Sequence, residues 1–240
     1  MIIKAHHSPN FSKKNRKIKD IRFIIIHYTG MQSKIESFKR LISPKSKVSC
    51  HYLIDRKGII LELVKLDKIA WHAGNSKWKN NINLNRCSVG IELVNKGHKF
   101  GYEKFTDIQI KKLLILCNKL KKKLKIKDNN ILGHSDIAPL RKLDPGEKFP
   151  WEKFGLTKKL SKIKKSKFLE KRLQKKIREK LFFSNLFKIG YRYFKKEKRS
   201  ITDKLVIKAF QRRFLQKNVT GNLDQKTFEI SHFLANQLKI

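Results

Sequence analysis

The amino-acid sequence predicts a mixed α/β domain, with a central sheet flanked by helices, followed by a small all-α module. Three observations lead there. Short apolar runs rich in β-branched residues recur between residues 22 and 94, a long stretch of helical period follows them, and beyond residue 180 only short helical patterns remain.

Arg22–Thr29 (Arg-Phe-Ile-Ile-Ile-His-Tyr-Thr) is a continuous apolar run of the kind that forms a strand buried on both faces, and it places His27 at the strand's end. A second strand is predicted at His51–Asp55. A Lys57-Gly58 turn leads to a third at Ile59–Val64, which makes the two a hairpin. Ser88–Val94 reads as another central strand. From Thr106 to Leu124, apolar residues at Ile108, Ile110, Leu113, Leu114, Leu116, Cys117, Leu120 and Leu124 keep close to a 3.6-residue period, with Thr106 as N-cap. Pro150 and Gly155 punctuate the end of this first domain, assigned to residues 1–155. Residues 156–180 are Lys-rich but carry Leu160, Ile163, Phe168, Leu169, Leu173 and Ile177 at helical spacing, the pattern of a basic amphipathic connecting helix. Residues 181–240 then read as helices at Leu181–Ile189, at Lys204–Phe214 and from Asp224 onward, broken at Gly190-Tyr191 and Thr220-Gly221-Asn222.

Composition narrows the class without settling it. In 240 residues, 59 Lys plus Arg stand against 19 Asp plus Glu, a formal charge of +40 that attracts any polyanion. The basic residues are spread along the whole chain rather than gathered on one motif, as a drift toward AT-rich codons would produce, and no aromatic-basic interleaving marks a nucleic-acid module. No specific nucleic acid is therefore expected as partner. Cys50, Cys87 and Cys117 are odd in number, far apart and never in a CxxC pair, so they are expected to be buried free thiols. Residues 1–20 are polar and basic, without the apolar stretch of a signal peptide, and nowhere do about 18 apolar residues run together as a membrane helix requires. By these criteria the chain is expected to be cytoplasmic, without a transmembrane segment, and monomeric.

Three segments set a candidate metal ligand beside turn residues: His27-Tyr28-Thr29-Gly30, Gly133-His134-Ser135-Asp136 and Asp144-Pro145-Gly146. Two imidazoles and a carboxylate, with a fourth position left for water, are a donor set that catalytic zinc uses. Singly, each has a plainer reading as a satisfied structural histidine or a turn-forming aspartate.

In order along the chain, His27-Tyr28-Thr29, Ser49-Cys50-His51-Tyr52, Ala70-Trp71-His72-Ala73-Gly74, Gly90-Ile91-Glu92, Gly133-His134-Ser135-Asp136-Ile137-Ala138-Pro139 and Arg141-Lys142-Leu143-Asp144-Pro145-Gly146 resemble the blocks of the amidase-2 family of zinc N-acetylmuramoyl-L-alanine amidases. Phe149-Pro150-Trp151 follows as in the envelope members. The resemblance implies hydrolysis of the amide between N-acetylmuramic acid and L-alanine in peptidoglycan or muropeptides, with Zn2+ as cofactor and His27, His134 and Asp144 as its ligands. It further implies Glu92 as the catalytic acid-base and Lys142 as the catalytic cation, with Trp71, His72 and Asn95 along the substrate cleft. His51 and Tyr52 are expected to pack or to orient ligands, and His6, His7, His98 and His232 to be surface residues. Leu140 and Leu143 depart from the family's smaller residues and alter the cleft wall. The alternative is a non-catalytic peptidoglycan-recognition protein, whose family members typically lose a zinc ligand; all three positions are kept here.

After residue 181, Gly190-Tyr191, Ala209-Phe210-Gln211-Arg212-Arg213-Phe214, Gly221-Asn222-Leu223-Asp224 and Thr227 resemble a peptidoglycan-binding-domain-1 fold, a three-helix bundle. That module and the Phe-Pro-Trp block imply an envelope or periplasmic setting, against the cytoplasmic expectation from the N-terminus.

Overall fold

Phe23 to Ile26 are all apolar and lie at 0–3 % exposure, so this strand can only be central, with cover on both faces. The computed structural model describes residues 3–154, 157, 160, 174–195 and 198–237, and within it the strand is β3 (Phe23–Tyr28). Its neighbours are β9 (Ser88–Leu93) and β10 (Ile131–Gly133), both parallel to it. Beyond β9 lie β4 (Tyr52–Ile54), parallel to β9, then β5 (Ile60–Glu62), antiparallel to β4 across the predicted hairpin, and β1 (Ile3–Ala5) at the edge. The six-stranded order β1-β5-β4-β9-β3-β10 makes a mixed sheet, as expected. Two minor ribbons, β2 (Phe11–Ser12) with β6 (Ile69–Ala70) and β7 (Lys77–Trp78) with β8 (Asn81–Ile82), had no signal in the sequence. Neither had α1 (Lys34–Ile42).

Each face of the sheet has its own core. Ile24, Ile26, Val89, Ile91 and Leu93 pack with α2 (Asp107–Leu124), whose N-cap Thr106 accepts from the Gln109 N–H as anticipated. On the other face, Phe23, Ile25 and Leu132 join one apolar cluster with Phe182, Leu186, Phe210 and Phe228. Those four residues belong to the C-terminal helices α4 (Lys175–Ile189), α5 (Asp203–Phe214) and α6 (Gln225–Gln237). The helices thus complete the core of the sheet instead of forming a detached unit. The division drawn at residues 180 and 181 falls inside α4, because the apolar spacing that marks this helix runs through the Lys-rich stretch. Residues 161–173, the middle of the anticipated connecting helix, lie outside the described residues. Cys50, Cys87 and Cys117 are buried free thiols. Among the described residues no helix is long and apolar enough to cross a membrane.

Candidate metal centre

The C-terminal ends of parallel strands are where α/β sheets build their sites. In register across β3 and β9, His27 pairs with Glu92. His134 stands directly after the adjacent β10, as first residue of the four-residue α3 (His134–Ile137). The loop beyond α3 returns to place Asp144, and its carbonyl accepts from the Ser135 N–H at 2.9 Å.

The three side chains converge. His27 Nδ1 lies 2.9 Å from His134 Nδ1, and Asp144 Oδ2 lies 3.0 Å from each of them. All three residues are buried. With Nδ1 unprotonated on both rings, the three atoms would offer converging lone pairs to one cation. A tetrahedral ion with bonds of about 2.0–2.1 Å sets its ligand atoms roughly 3.3 Å apart, close to the observed triangle. The group could therefore hold a metal ion.

Neighbouring contacts supply the tautomers this needs. If His27 Nδ1 is kept free, its Nε2–H donates to His72 Nδ1 at 3.1 Å. His72 Nε2–H then donates to Ser88 Oγ at 3.2 Å, and the Ser88 hydroxyl to the Leu84 carbonyl at 2.6 Å. Likewise His134 Nε2–H donates to the Ala73 carbonyl at 3.1 Å, leaving Nδ1 as the ligand atom. Hydrogen bonds of this kind orient metal-binding imidazoles. The His72 ring fits only because residue 90 is glycine: a Cβ there would lie 2.4 Å from the ring. His51 extends the array, its Nδ1 accepting the Gly90 N–H at 3.0 Å and its ring meeting His72 edge-on.

Electrostatics agree with a ligand set. Burial, with His134 beside it, lowers His27 to about 4, so its ring is neutral at neutral pH. Burial alone would push Asp144 up, but the His134 and His27 imidazoles hold it far below the usual carboxylate range. Glu92 behaves oppositely: burial, then the nearby Asp144 charge, raise it to about 8. Its Oε2 is buried and hydrogen-bonds to nothing among the described residues. A carboxyl oxygen buried without a partner is uncommon in a folded protein and marks Glu92 as a candidate acid-base group beside the His27, His134 and Asp144 group.

A cleft of about 510 Å³ opens over these groups, lined among others by Trp71, His72, Glu92, His134, Lys142 and Asp144. Lys142 is half-buried on its wall and Leu143 lies beside it. Trp71 is half-buried, with its indole N–H on Ser12 Oγ. His72 borders the cleft, but both ring nitrogens are engaged with His27 and Ser88. Asn95 lies apart from the cleft, contrary to expectation: its Nδ2 donates to the Glu103 carbonyl and its Oδ1 accepts the Gly97 N–H, so it shapes a turn. Sequence reasoning missed Arg40, His98 and Arg141 on the cleft wall. His98 was set aside as a surface residue, yet its Nδ1 meets the Tyr28 hydroxyl and its Nε2 meets Glu147.

Two histidines and an aspartate gathered at the C-terminal edge of this mixed sheet, with Glu92 beside them, form a group that could hold a metal ion. Residues 17–147 match the family model described as N-acetylmuramoyl-L-alanine amidase, and the chain belongs to that family. It is 37 % identical to the Escherichia coli (strain K12) N-acetylmuramoyl-L-alanine amidase AmiD over 144 residues, 55 % of this chain and 51 % of that one. It is 34 % identical to the Haemophilus influenzae (strain Rd) 1,6-anhydro-N-acetylmuramyl-L-alanine amidase AmpD over 165 residues, 61 % of this chain and 87 % of that one. The aligned stretch thus spans about half of AmiD and most of AmpD. The solved complex of E. coli AmiD with anhydro-N-acetylmuramic acid-L-Ala-D-γ-Glu-L-Lys superposes with a TM-score of 0.75 at 28 % identity, covering 94 % of this chain and 92 % of that one.

Proposed function

We infer that this chain hydrolyses the amide bond between N-acetylmuramic acid and L-alanine in peptidoglycan-derived material, with zinc held by His27, His134 and Asp144, in cell-wall turnover or recycling. The observation that carries it is the buried triangle of ligand atoms with the unpartnered Glu92 carboxyl beside it. Held by His27, His134 and Asp144, a zinc ion would supply Lewis-acid polarisation of the scissile carbonyl and of the attacking water. Glu92 takes a proton from the attacking water and passes it to the departing amine nitrogen of L-alanine. Lys142, on the cleft wall, stabilises the negative charge that develops on the carbonyl oxygen. His72 holds the His27 ring, and Trp71 offers an aromatic wall to the sugar or peptide.

AmiD has been solved with an anhydro-muramyl tripeptide, and AmpDh3 from Pseudomonas aeruginosa with an anhydromuramic pentapeptide. Muropeptides of that class are the substrates we propose here. We further propose that the C-terminal helices belong to a peptidoglycan-binding module that keeps the enzyme on its polymer in the cell envelope.

The test is incubation with a defined anhydro-muropeptide, with and without a chelator and zinc add-back, followed by mass spectrometry. Release of a stem peptide beginning at L-alanine, dependent on zinc and lost in Glu92→Ala, is the expected result. Tight binding without release by the zinc-loaded protein would overturn it in favour of a recognition protein.

A further inference from the structure

The four-residue α3 that carries His134 is too short to hold its own orientation, since one helical turn fixes many dihedrals for few hydrogen bonds. Its hold comes from elsewhere in the chain. Asp136, in α3, accepts the Gly133 N–H at 2.8 Å and Arg213 Nη1 at 2.5 Å on Oδ2, and the Tyr191 hydroxyl at 2.5 Å on Oδ1. Arg213, near the end of α5, also donates through Nη2 to the Ile131 carbonyl of β10 at 2.8 Å, so one guanidinium ties the strand before His134 to the helix that begins with it. Asp136, Arg213 and Tyr191 are all buried, at 0–2 % exposure. Just past α5, Gln216 Nε2 donates to the Glu147 carbonyl at 2.6 Å and to the Phe149 carbonyl, both on the segment that follows Asp144.

We propose that Arg213 and Gln216, at the C-terminal end of α5, are positioning residues for the metal: they brace the His134 and Asp144 loops from outside the cleft, a role that rests on the zinc reading above. Two independent contacts reach two ligand loops from one helix end. A buried ion pair is a poor device for stability alone, because apolar side chains of similar volume usually serve as well or better. What Arg213 adds is direction: a planar fork reaching two backbone-anchored acceptors fixes the angle of α3 against β10. Ligand placement at a metal tolerates errors of only about 0.5 Å. The C-terminal helices are thereby part of the hydrolytic centre and not only a tether to polymer.

The experiment uses the full chain, Gln216→Ala, and the double variant Asp136→Leu/Arg213→Met, which removes the pair without stranding a buried charge. Zinc affinity is read by competition with a chromophoric chelator, coordination by the visible absorption of the cobalt-substituted protein, and kcat and KM on a soluble muropeptide. Weaker zinc binding by about 10–100-fold, as loss of ligand-orienting contacts gives, with an altered cobalt spectrum and kcat lowered at unchanged KM, is expected in either variant. If both variants bind zinc within about threefold of wild type and keep its cobalt spectrum, the brace is refuted, whatever happens to their melting temperatures. A wild-type chain that holds no zinc at all would overturn the metal reading and the brace with it.

Discussion

Replacing Glu92 by glutamine should stabilise the metal-free protein while abolishing its activity. The glutamate is raised from an ordinary 4.5 to about 8 by burial and by Asp144. Between those values the unfolded chain has released the proton and the folded one keeps it. Folding stability therefore falls as pH rises across this window, by about 1.4 kcal/mol per pH unit. Above it, the full difference is lost: about 5 kcal/mol as an upper bound, the product of that slope and the width of the window. A glutamine side chain does not titrate, so Glu92→Gln escapes this loss. In chelator, its melting temperature should come close to wild type near pH 5 and exceed it by up to roughly 10–20 °C at pH 8, since about 1 kcal/mol moves a domain of this size by 2–4 °C. Zinc should shrink the gap, because a dication among the ligands favours the ionised carboxylate. Thermal melts of both proteins from pH 5 to 8, with chelator and with zinc, read the effect. A difference that does not grow with pH would refute the placement of Glu92 with its Oε2 buried and unpaired.

Lys142→Ala should lower kcat on a soluble muropeptide by about 10²–10³ with KM changed only a few-fold, as loss of an oxyanion partner does; steady-state kinetics check this, and a pure KM effect would make Lys142 a binding residue. Gly90→Ala should lower stability by about 1–3 kcal/mol through overpacking, because its Cβ would sit 2.4 Å from the His72 ring, and a denaturant titration would show it. Chelation should leave the chain folded by far-UV circular dichroism while activity vanishes, since both apolar cores are built without the ligands; unfolding on chelation would mean that the metal organises the sheet. Retention on insoluble peptidoglycan should weaken steeply between low and high salt, given the charge of +40, and a salt-insensitive pelleting assay would assign binding to specific contacts instead.

How much of this was legible in the sequence depended on whether the signal was local. β3 and β9 announce themselves because a strand covered on both faces must be largely apolar, and the ionisable His27 and Glu92 stand out in them for the same reason. The ordered blocks then brought His134 and Asp144 into the candidate site, though 107 and 117 positions separate them from His27. Two-residue ribbons are set by their partners, so β2, β6, β7 and β8 left no pattern to find. Helix α1 escaped because only Ser37 and Leu41 are buried along its nine residues. Arg16 is the plainest loss. It lies in a basic N-terminal stretch that reads as solvated, yet its guanidinium is buried and donates to the carbonyls of Leu66, Asn85 and Ser88. Only the folded chain gathers those acceptors.

One face of the central sheet serves two purposes, and this explains why the C-terminal helices cannot be read as an independent appendage. Ile25 and His27 share that face of β3, two residues apart. Ile25 is sealed beneath the Phe182–Phe210 cluster, whereas His27 meets His134 and Asp144. The boundary between dry core and candidate metal centre is therefore a single step along one strand. Water entering the core side would solvate the imidazoles and weaken the depression of His27 that keeps its nitrogen available to a metal. Capping the lower half of the face with helices is what makes the upper half a low-dielectric site. Tyr191 and Arg213 sit at that seam, one packed edge-on against Trp78 and the other stacked over Trp151, so the same residues close the core and face the helix that begins with His134.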